Sequence, residues 1–313
     1  MGALAGSEAC VTRMARRIEE EVGRISHLRH AGAAAAVPEV RKALGDRVNL
    51  VAAKAAEVAA ALRAQELIPD MLRAFDRLFE NPVKHDPQCW GKVAIARALK
   101  DLDHQEAAPF LRGAVHVQME PVWGGTQDTA GPLRGICLLA LPGCGDIRRE
   151  EIMRHLVNAL AESDAAVRAD AARAMGAMGG DDSALVLRLK ARIGDAAPAV
   201  TGQALESLLI VERAQALPFV KGFLDPMGGA AAEEAALALG GSRMAGAVDV
   251  LLTAWETATG AEYREAVLRA LSLSRDDRAV EFLRKLAAEG PERDAKAARA
   301  ALELFPDSTA RTG

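Results

Sequence analysis

The stretch DAAVRADAARAMGAMGGDD, residues 164–182, indicates the fold of this chain. Ala, Arg and Met favour helices, and together they make up most of the stretch. Asp164 stands where an N-cap is expected, because a carboxylate there accepts hydrogen bonds from the free N–H groups of the first turn. Gly176 or Gly179 can end the helix, since glycine adopts positive φ angles at low cost. The two adjacent alanines between these ends allow a neighbouring helix to approach closely.

A landmark made of a small residue followed by an apolar or small one recurs after this stretch at a regular distance. The second residue of the landmark is found at intervals of 30–33 residues, at Met175, Leu208, Leu239, Leu271 and Ala301. Looser matches upstream end on Leu99 and Leu141. A sustained period of this length is typical of helical hairpins, which bury their apolar faces only by stacking on one another. We therefore predict an all-α fold, an α-solenoid of stacked antiparallel helical hairpins.

The repeat resembles the HEAT-like repeat of phycobilisome-lyase-type proteins, whose pattern is D-x-x-V-R-x-x-A-A-x-A-L-G. The matching positions are Asp164, Val167, Arg168, Ala171, Ala172, Ala174 and Gly176, with Met175 in place of Leu. The resemblance covers at least residues 88–305 and concerns architecture. The chain has no linker rich in Pro, Gly or Ser, so we predict a single domain over 1–305, with irregular helices in 1–87 and regular repeats in 88–305. Residues 306–313 are expected to be a disordered tail.

The N-terminal part follows the period only loosely. Its helices are expected at about 13–29, 33–44, 47–63 and 66–80.

Composition and charge narrow the classes of function. Of the 313 residues, 50% are hydrophobic and only 4% aromatic, which favours helices with small residues at their contacts. The net charge of −4 argues against nucleic-acid binding, which needs a basic surface. No apolar run approaches the roughly 18 residues needed to cross a membrane, and no signal peptide is evident. The cysteines are widely spaced and are expected to be reduced thiols of a cytoplasmic protein: Cys10, Cys89, Cys137 and Cys144.

The period is broken between Leu99 and Leu141, which lie 42 residues apart, about ten more than one repeat needs. The extra residues belong to VHVQMEPVWGGTQDTAG, residues 115–131, a stretch unlike the helical sequence around it. A second irregular segment, ENPVKHDPQCW, lies one repeat earlier and ends at Trp90. Both segments connect hairpins of adjacent repeats. We therefore expect residues 83–90 and 116–131 to lie close together, and we call them the loop edge.

The loop edge concentrates residue types that bind ligands. The candidate binding residues are His85, Trp90, His116, Gln118, Glu120, Trp123, Gly124, Gly125 and Asp128. We interpret the two tryptophans as anchors, the glycines as a tight turn and the polar residues as groups that orient a ligand. Structural roles are open for the same residues. Trp90 could be core, Trp123 could pack the loop onto a helix, and Asp128 or Thr129 could cap the next helix.

His116 and Glu120 are four residues apart, so on a helix they would share a face, while Gln118 would point elsewhere. The pair could serve acid–base chemistry or ligate a metal. A metal site drawing on His85, Cys89, His116, Glu120 and Asp128 has suitable ligand types but no diagnostic spacing.

Two enzyme groups with HEAT-like repeats give a further test. HEAT-like deoxyhypusine hydroxylases bind iron through His-Glu dipeptides, and this sequence contains none, which argues against that chemistry. HEAT-like DNA glycosylases use a basic face with aromatic residues, which the acidic total does not favour.

From the sequence we therefore predict a non-enzymatic interaction scaffold in the cytoplasm that binds a protein or peptide partner through the loop edge or its concave face. It would have no catalytic residue, cofactor or metal and would bind neither nucleic acid nor membrane, with its oligomeric state left open. The alternative is an enzyme or a cofactor or metal binder that uses His116 and Glu120 at the same edge.

Overall fold

The computed structural model describes the backbone of residues 2–304 and the side chains of residues 14–304. The expected disordered tail at 306–313 and the side chain of Cys10 lie outside the described residues. The chain divides into two compact units, one ending at His155 and the other beginning at Leu156. The single domain over 1–305 stays a prediction.

The first unit consists of helices and one β-hairpin. Its helices are α1 (Gly2–His27), α2 (Ala33–Leu44), α3 (Asn49–Ala61), α4 (Ile68–Leu78), α5 (Pro82–His85), α6 (Trp90–Asp101), α7 (Ala107–Ala114) and α8 (Gly131–Ala140). The hairpin is formed by β1 (Met119–Val122) and β2 (Gly125–Asp128). Three of the expected N-terminal helices agree with α2, α3 and α4 to within a few residues, whereas α1 begins well before the expected start.

The second unit has the regular repeats. The boundary between the units falls within α9 (Arg149–Ala159). The helices that follow are α10 (Ala165–Met178), α11 (Gly180–Ile193), α12 (Pro198–Glu212), α13 (Leu217–Lys221), α14 (Ala230–Ser242), α15 (Ala245–Thr257), α16 (Ala261–Ser274), α17 (Asp277–Glu289) and α18 (Glu292–Leu304). The first helix of each hairpin packs on the first helix of the next, in the order α10, α12, α14, α16, α18. The all-α solenoid class is confirmed.

The predicted period corresponds to one buried position in each first helix. Its side chains are buried at Met175, Leu208, Leu239, Leu271 and Ala301. Ala171 and Ala172 are also fully buried, as expected for residues at a close helix contact. Small side chains at these contacts explain why a chain with few aromatic residues can build a continuous core.

The repeat motif also supplies caps and ion pairs. Asp164 accepts a hydrogen bond of 2.8 Å from the backbone N–H of Ala166, and Gly179, with φ of 64°, ends α10. Arg168 donates two hydrogen bonds, of 2.7 and 2.8 Å, to Asp195 in the loop before the next hairpin. Those hydrogen bonds hold the pKa of Asp195 well below its usual range, so the pair joins successive repeats as an ion pair.

Candidate functional site

The insertion that breaks the period forms the antiparallel β-hairpin of the first unit. Met119 pairs with Asp128, and Val122 pairs with Gly125. The turn between the strands has Gly124 at a φ of 89°, a conformation that favours glycine over residues with a side chain. The sequence predicted the tight turn, but it placed His116 and Glu120 on a helix. That placement is wrong, because α7 already ends at Ala114.

The extended backbone places His116, Gln118 and Glu120 on one side, because alternate residues of an extended chain share a face. Gln118 therefore joins the other two instead of pointing away from them. Its Oε1 lies 3.2 Å from His116 Nε2, and its Nε2 donates a hydrogen bond of 2.6 Å to Glu120 Oε1. The three side chains form a continuous hydrogen-bonded chain from the half-buried His116 to the buried Glu120.

Glu120 is the acceptor at the centre of the loop edge, and its side chain is only 5% exposed. Besides Gln118, the backbone N–H of Gln88 donates to it at 2.6 Å and the hydroxyl of Thr129 at 2.7 Å. Burial alone would raise the pKa of Glu120, but these hydrogen bonds outweigh burial and hold the pKa below its usual range. The carboxylate is therefore ionised at neutral pH, with its oxygens already occupied by donors of the chain.

The segment before α6 is shaped to deliver one of those donors. Gln88 and Cys89 have positive φ angles of 62° and 56°, which cost about 1–2 kcal/mol each for residues with a side chain. This backbone directs the Gln88 N–H to Glu120. Gln118 Nε2 also donates to the carbonyl of Asp86 at 2.9 Å. The two segments of the loop edge are therefore in direct contact, as the sequence predicted.

A fully buried ion pair ties the loop edge to α6. Asp86 and Lys92 are both 0% exposed, and Lys92 Nζ lies 3.0 Å from Asp86 Oδ2. The Asp86 carboxylate also accepts hydrogen bonds from Asn49 Nδ2 and from the backbone N–H groups of Gly91 and Lys92. Lys92 Nζ lies 3.3 Å from the carbonyl of Leu78 as well. These bonds fix the start of α6 against α3 and so support the strained turn above them.

Asp128 supports the other end of the hairpin. It accepts hydrogen bonds from the backbone N–H groups of Gln118 and Ala130, both at 3.0 Å, and from Arg134 at 2.7 Å. Burial would raise the pKa of Asp128, but these donors hold it below its usual range. The expected cap at Asp128 or Thr129 is wrong in position, since the N-cap of α8 is Ala130. Thr129 instead donates a hydrogen bond from its hydroxyl to Glu120.

His116 is a titratable group of the loop edge that can offer a nitrogen lone pair. Burial lowers its pKa, so the ring is neutral at pH 7. Its ring meets Phe79 edge-on, with centroids 4.8 Å apart. The guanidinium of Arg112 lies 3.9 Å from the centre of the same Phe79 ring. Apart from Nε2, which faces Gln118, no described residue forms a hydrogen bond to the His116 ring.

The apolar side chains of the loop edge are exposed. Trp90 is 54% exposed and Trp123 fully exposed, so the core interpretation of Trp90 and the packing interpretation of Trp123 are both wrong. The other large apolar side chains exposed there are Val83, Val117, Met119 and Val122, and Val115 is exposed just before the second segment. Gly125 pairs in β2, and His85 closes α5 in a half-buried position. Whether the candidate residues bind a ligand stays a prediction.

Five residues that build the site were absent from the sequence-based set of binding residues: Asp86, Gln88, Lys92, Thr129 and Arg134. Thr129 was considered only as a cap. A lysine inside an otherwise apolar helical face was a usable signal for Lys92, because buried lysines are almost always paired. Gln88 carried no such signal, since its contribution is a backbone N–H.

The described residues also bear on metal binding, thiol reactivity and membrane insertion. Among them, no three or more His, Cys, Asp or Glu side chains are grouped so that they could hold a metal ion. Burial raises the pKa of the Cys89 thiol to about 11. None of the described helices has both the length and the apolar character to span a bilayer.

Comparisons with known proteins bear on the fold. No family model and no curated protein matches the chain. Among solved structures, human deoxyhypusine hydroxylase in complex with glycerol is 16% identical, with the match covering 93% of this chain and 98% of that chain at a TM-score of 0.28. At this identity and TM-score the similarity carries no argument about fold or activity. The stacked hairpins from α10 to α18 support the HEAT-like helical repeat architecture, while the narrower resemblance to phycobilisome-lyase-type proteins gains no support.

The prediction of a non-enzymatic scaffold is corrected. Human deoxyhypusine hydroxylase is an enzyme, but at a TM-score of 0.28 this match carries no argument about activity. The polar groups that were expected to orient a partner also have another role, because Gln118 and Glu120 are buried in hydrogen bonds within the chain. The geometry of the loop edge favours the alternative drawn from the sequence, an enzyme or a cofactor or metal binder that uses His116.

Replacing Glu120 with Gln should lower the free energy of unfolding by about 1 kcal/mol at pH 7, because hydrogen bonds to a charged acceptor are worth more than those to a neutral one. The lowered pKa of Glu120 also means that its contribution is present above the unfolded pKa of about 4.3 and is lost as the pH falls through the folded pKa. Glu120→Gln should therefore weaken the loss of stability in acid, as measured by urea unfolding at several pH values. Equal acid sensitivity of both proteins would contradict this account of Glu120.

Proposed function

We propose that the loop edge binds a small molecule and that His116 acts as the proton acceptor toward it. The observation that carries this proposal is the position of Gln118 between Glu120 and His116. Gln118 Nε2 has two acceptors, Glu120 Oε1 and the carbonyl of Asp86, which orients the amide with its oxygen toward His116. His116 Nε2 must then carry the proton, and Nδ1 keeps a lone pair.

A neutral histidine of fixed tautomer suits general-base chemistry. Because burial lowers the pKa of His116, the ring is neutral at pH 7 and can accept a proton without first losing one. Glu120 is the positioning residue: its ionised carboxylate fixes Gln118, and Gln118 fixes the imidazole. An acceptor on one ring nitrogen orients the ring, and the other nitrogen then acts as the base. Glu120 itself is only 5% exposed and accepts its hydrogen bonds from within the chain, so we assign proton exchange with the ligand to His116.

The surroundings indicate the kind of molecule that fits. Trp90 exposes half of its indole only two residues after Gln88, and a flat indole face binds aromatic or apolar groups. We therefore infer a ligand with an apolar body and one proton-donating group that meets His116 Nδ1. We place this function in the cytoplasm, because the described thiols are free and buried: Cys89, Cys137 and Cys144.

The test is equilibrium dialysis of the purified protein against a metabolite extract of its native cell, with bound compounds identified by mass spectrometry. His116→Phe keeps an aromatic ring against Phe79 but removes Nδ1. It should weaken retention of the bound compound at least about tenfold, or about 1.4 kcal/mol. The control is His30→Phe, an exposed histidine of the same unit. Absorbance of the purified protein in the visible range would identify the compound as a coloured cofactor.

Retention should also depend on pH. Because the folded pKa of His116 lies below the ordinary value of 6.5, retention should be constant from about pH 8 to pH 7 and fall as the pH drops through the folded pKa. Retention that ignores pH, or that survives His116→Phe in a folded protein, would refute the proposal. So would the absence of any retained compound.

A further inference from the structure

A cavity of the first unit lies away from the loop edge, between α3 and α6. Its volume is about 530 Å³, within the usual range for sites that bind small molecules. Four alanines line it: Ala60, Ala61, Ala94 and Ala98. The cavity exists because these positions carry only methyl groups, so the two helices leave space that larger side chains would fill.

Two arginines face this cavity without a carboxylate partner of their own. Arg63 and Arg97 both line it, and Arg97 forms no ion pair with any described residue. Arg63 donates to a neutral group, the carbonyl of Asp101, at 3.0 Å. Two guanidinium groups therefore remain uncompensated beside an alanine-lined floor.

The acidic residues of the cavity have partners outside it. Glu57 forms an ion pair with Lys54. The carboxylate of Asp101 lies 4.0 Å from Lys100 Nζ. The two arginines and two carboxylates of the lining balance each other, and the two lysines paired with those carboxylates add two positive charges beside the cavity. An incoming anion would therefore meet a net positive site instead of competing with an arginine–carboxylate pair already in place.

Arg63 is held in position before a ligand arrives. Its backbone has a φ of 54°, the left-handed conformation that follows the end of α3. The hydrogen bond to the Asp101 carbonyl engages one end of its guanidinium. The remaining N–H groups can bind two oxygens of a carboxylate or phosphate at once, a geometry that lysine cannot provide.

We propose that this cavity, here called the arginine cleft, is a binding site for a small organic anion that carries a carboxylate or phosphate on an apolar body. Arg63 and Arg97 bind the oxyanion, and the four alanines contact the apolar body. The site is separate from the one assigned to His116, so each can fail without the other.

The probe is phenyl phosphate, which combines a phosphate with a flat apolar ring, and its dissociation constant is measured by ligand-observed saturation-transfer NMR on the full chain. Arg97→Gln should weaken binding at least about tenfold, because it removes one charge and one bidentate donor. Ala94→Leu should abolish binding by filling the cleft without changing its charge. Arg73→Gln is the matched control, since Arg73 is exposed in the same unit and already paired with Asp70. It should leave binding unchanged.

Benzoate, whose ring protons the same measurement observes, distinguishes a carboxylate ligand from a phosphate ester. Binding of benzoate but not phenyl phosphate identifies a carboxylate, and the reverse identifies a phosphate ester; both results support the site provided that Arg97→Gln weakens them. Saturation transfer that is equal in wild type, Arg97→Gln and Arg73→Gln would overturn the proposal. Absence of transfer from every probe at millimolar concentration would overturn it as well. If Ala94→Leu does not fold, the arginine variants still decide the question.

Discussion

Replacing Asp86 with Ala is expected to lower the free energy of unfolding by about 3–5 kcal/mol, the cost of leaving one member of a buried ion pair alone. Lys92 is 0% exposed and would keep only the carbonyl of Leu78 and the face of the Phe79 ring, 5.5 Å away, as partners. The variant would also leave the side-chain amide of Asn49 and two backbone N–H groups at the start of α6 without their acceptor. Chemical denaturation at pH 7 measures the loss.

Two further variants separate the ion pair from general effects of removing a charge. Asp76→Ala removes a carboxylate that is 70% exposed and paired with Arg112, so it should cost less than about 1 kcal/mol. The double replacement Asp86→Leu with Lys92→Met removes both buried charges and should recover part of the stability lost by Asp86→Ala. If Asp86→Ala cost no more than Asp76→Ala, Lys92 would have to reach water, contrary to the structure.

The second large effect is expected at a contact between repeats. Gly240→Ala should lower the free energy of unfolding by about 3 kcal/mol, the upper end of the usual cost of overpacking. A Cβ at Gly240 would lie 2.2 Å from the carbonyl oxygen of Ala270 and 2.7 Å from its Cα. The obstacle is the backbone of α16, which cannot move aside without separating α14 from α16 along their length.

The neighbouring glycine provides the control. Gly241 lies in the same helix, and a Cβ there would meet nothing within 4 Å. Gly241→Ala should therefore raise the stability by roughly 0.5–1 kcal/mol, because alanine loses less backbone entropy than glycine in a helix. Thermal and urea unfolding of both variants test the pair. Equal stability of the two variants would show that α14 and α16 do not approach as closely as the structure has them.

The architecture was largely predictable from the repeat, and the reason is local. Asp164, Gly179 and the alanines near residue 171 act through capping, chain reversal and close packing within one or two helices. Their spacing along the chain recurs in the spacing of the buried positions from Met175 to Ala301. Such features survive in sequence because each repeat must satisfy the same local requirements.

The site was predictable in place but not in geometry. The broken period located the insertion, and the two segments of the loop edge do meet. The prediction assumed a helix, in which Gln118 would point away from His116 and Glu120. The backbone is extended instead, and Gln118 joins the other two side chains by hydrogen bonds. Tryptophan burial statistics were misleading for the same region, since both Trp90 and Trp123 expose their indoles.

By itself, the sequence determined that this chain is built of stacked helical hairpins with one interruption before Gly131, because periodicity and capping are encoded within each repeat. Only the tertiary structure decided what the interruption does. Glu120 receives donors from Gln88 and Thr129, which lie 32 residues before it and nine after it. The tautomer of His116 depends in turn on Gln118 and on the carbonyl of Asp86. Contacts between backbone groups of separate segments leave no pattern in residue types, so only the folded chain shows the hydrogen bonds that lead from Glu120 to His116.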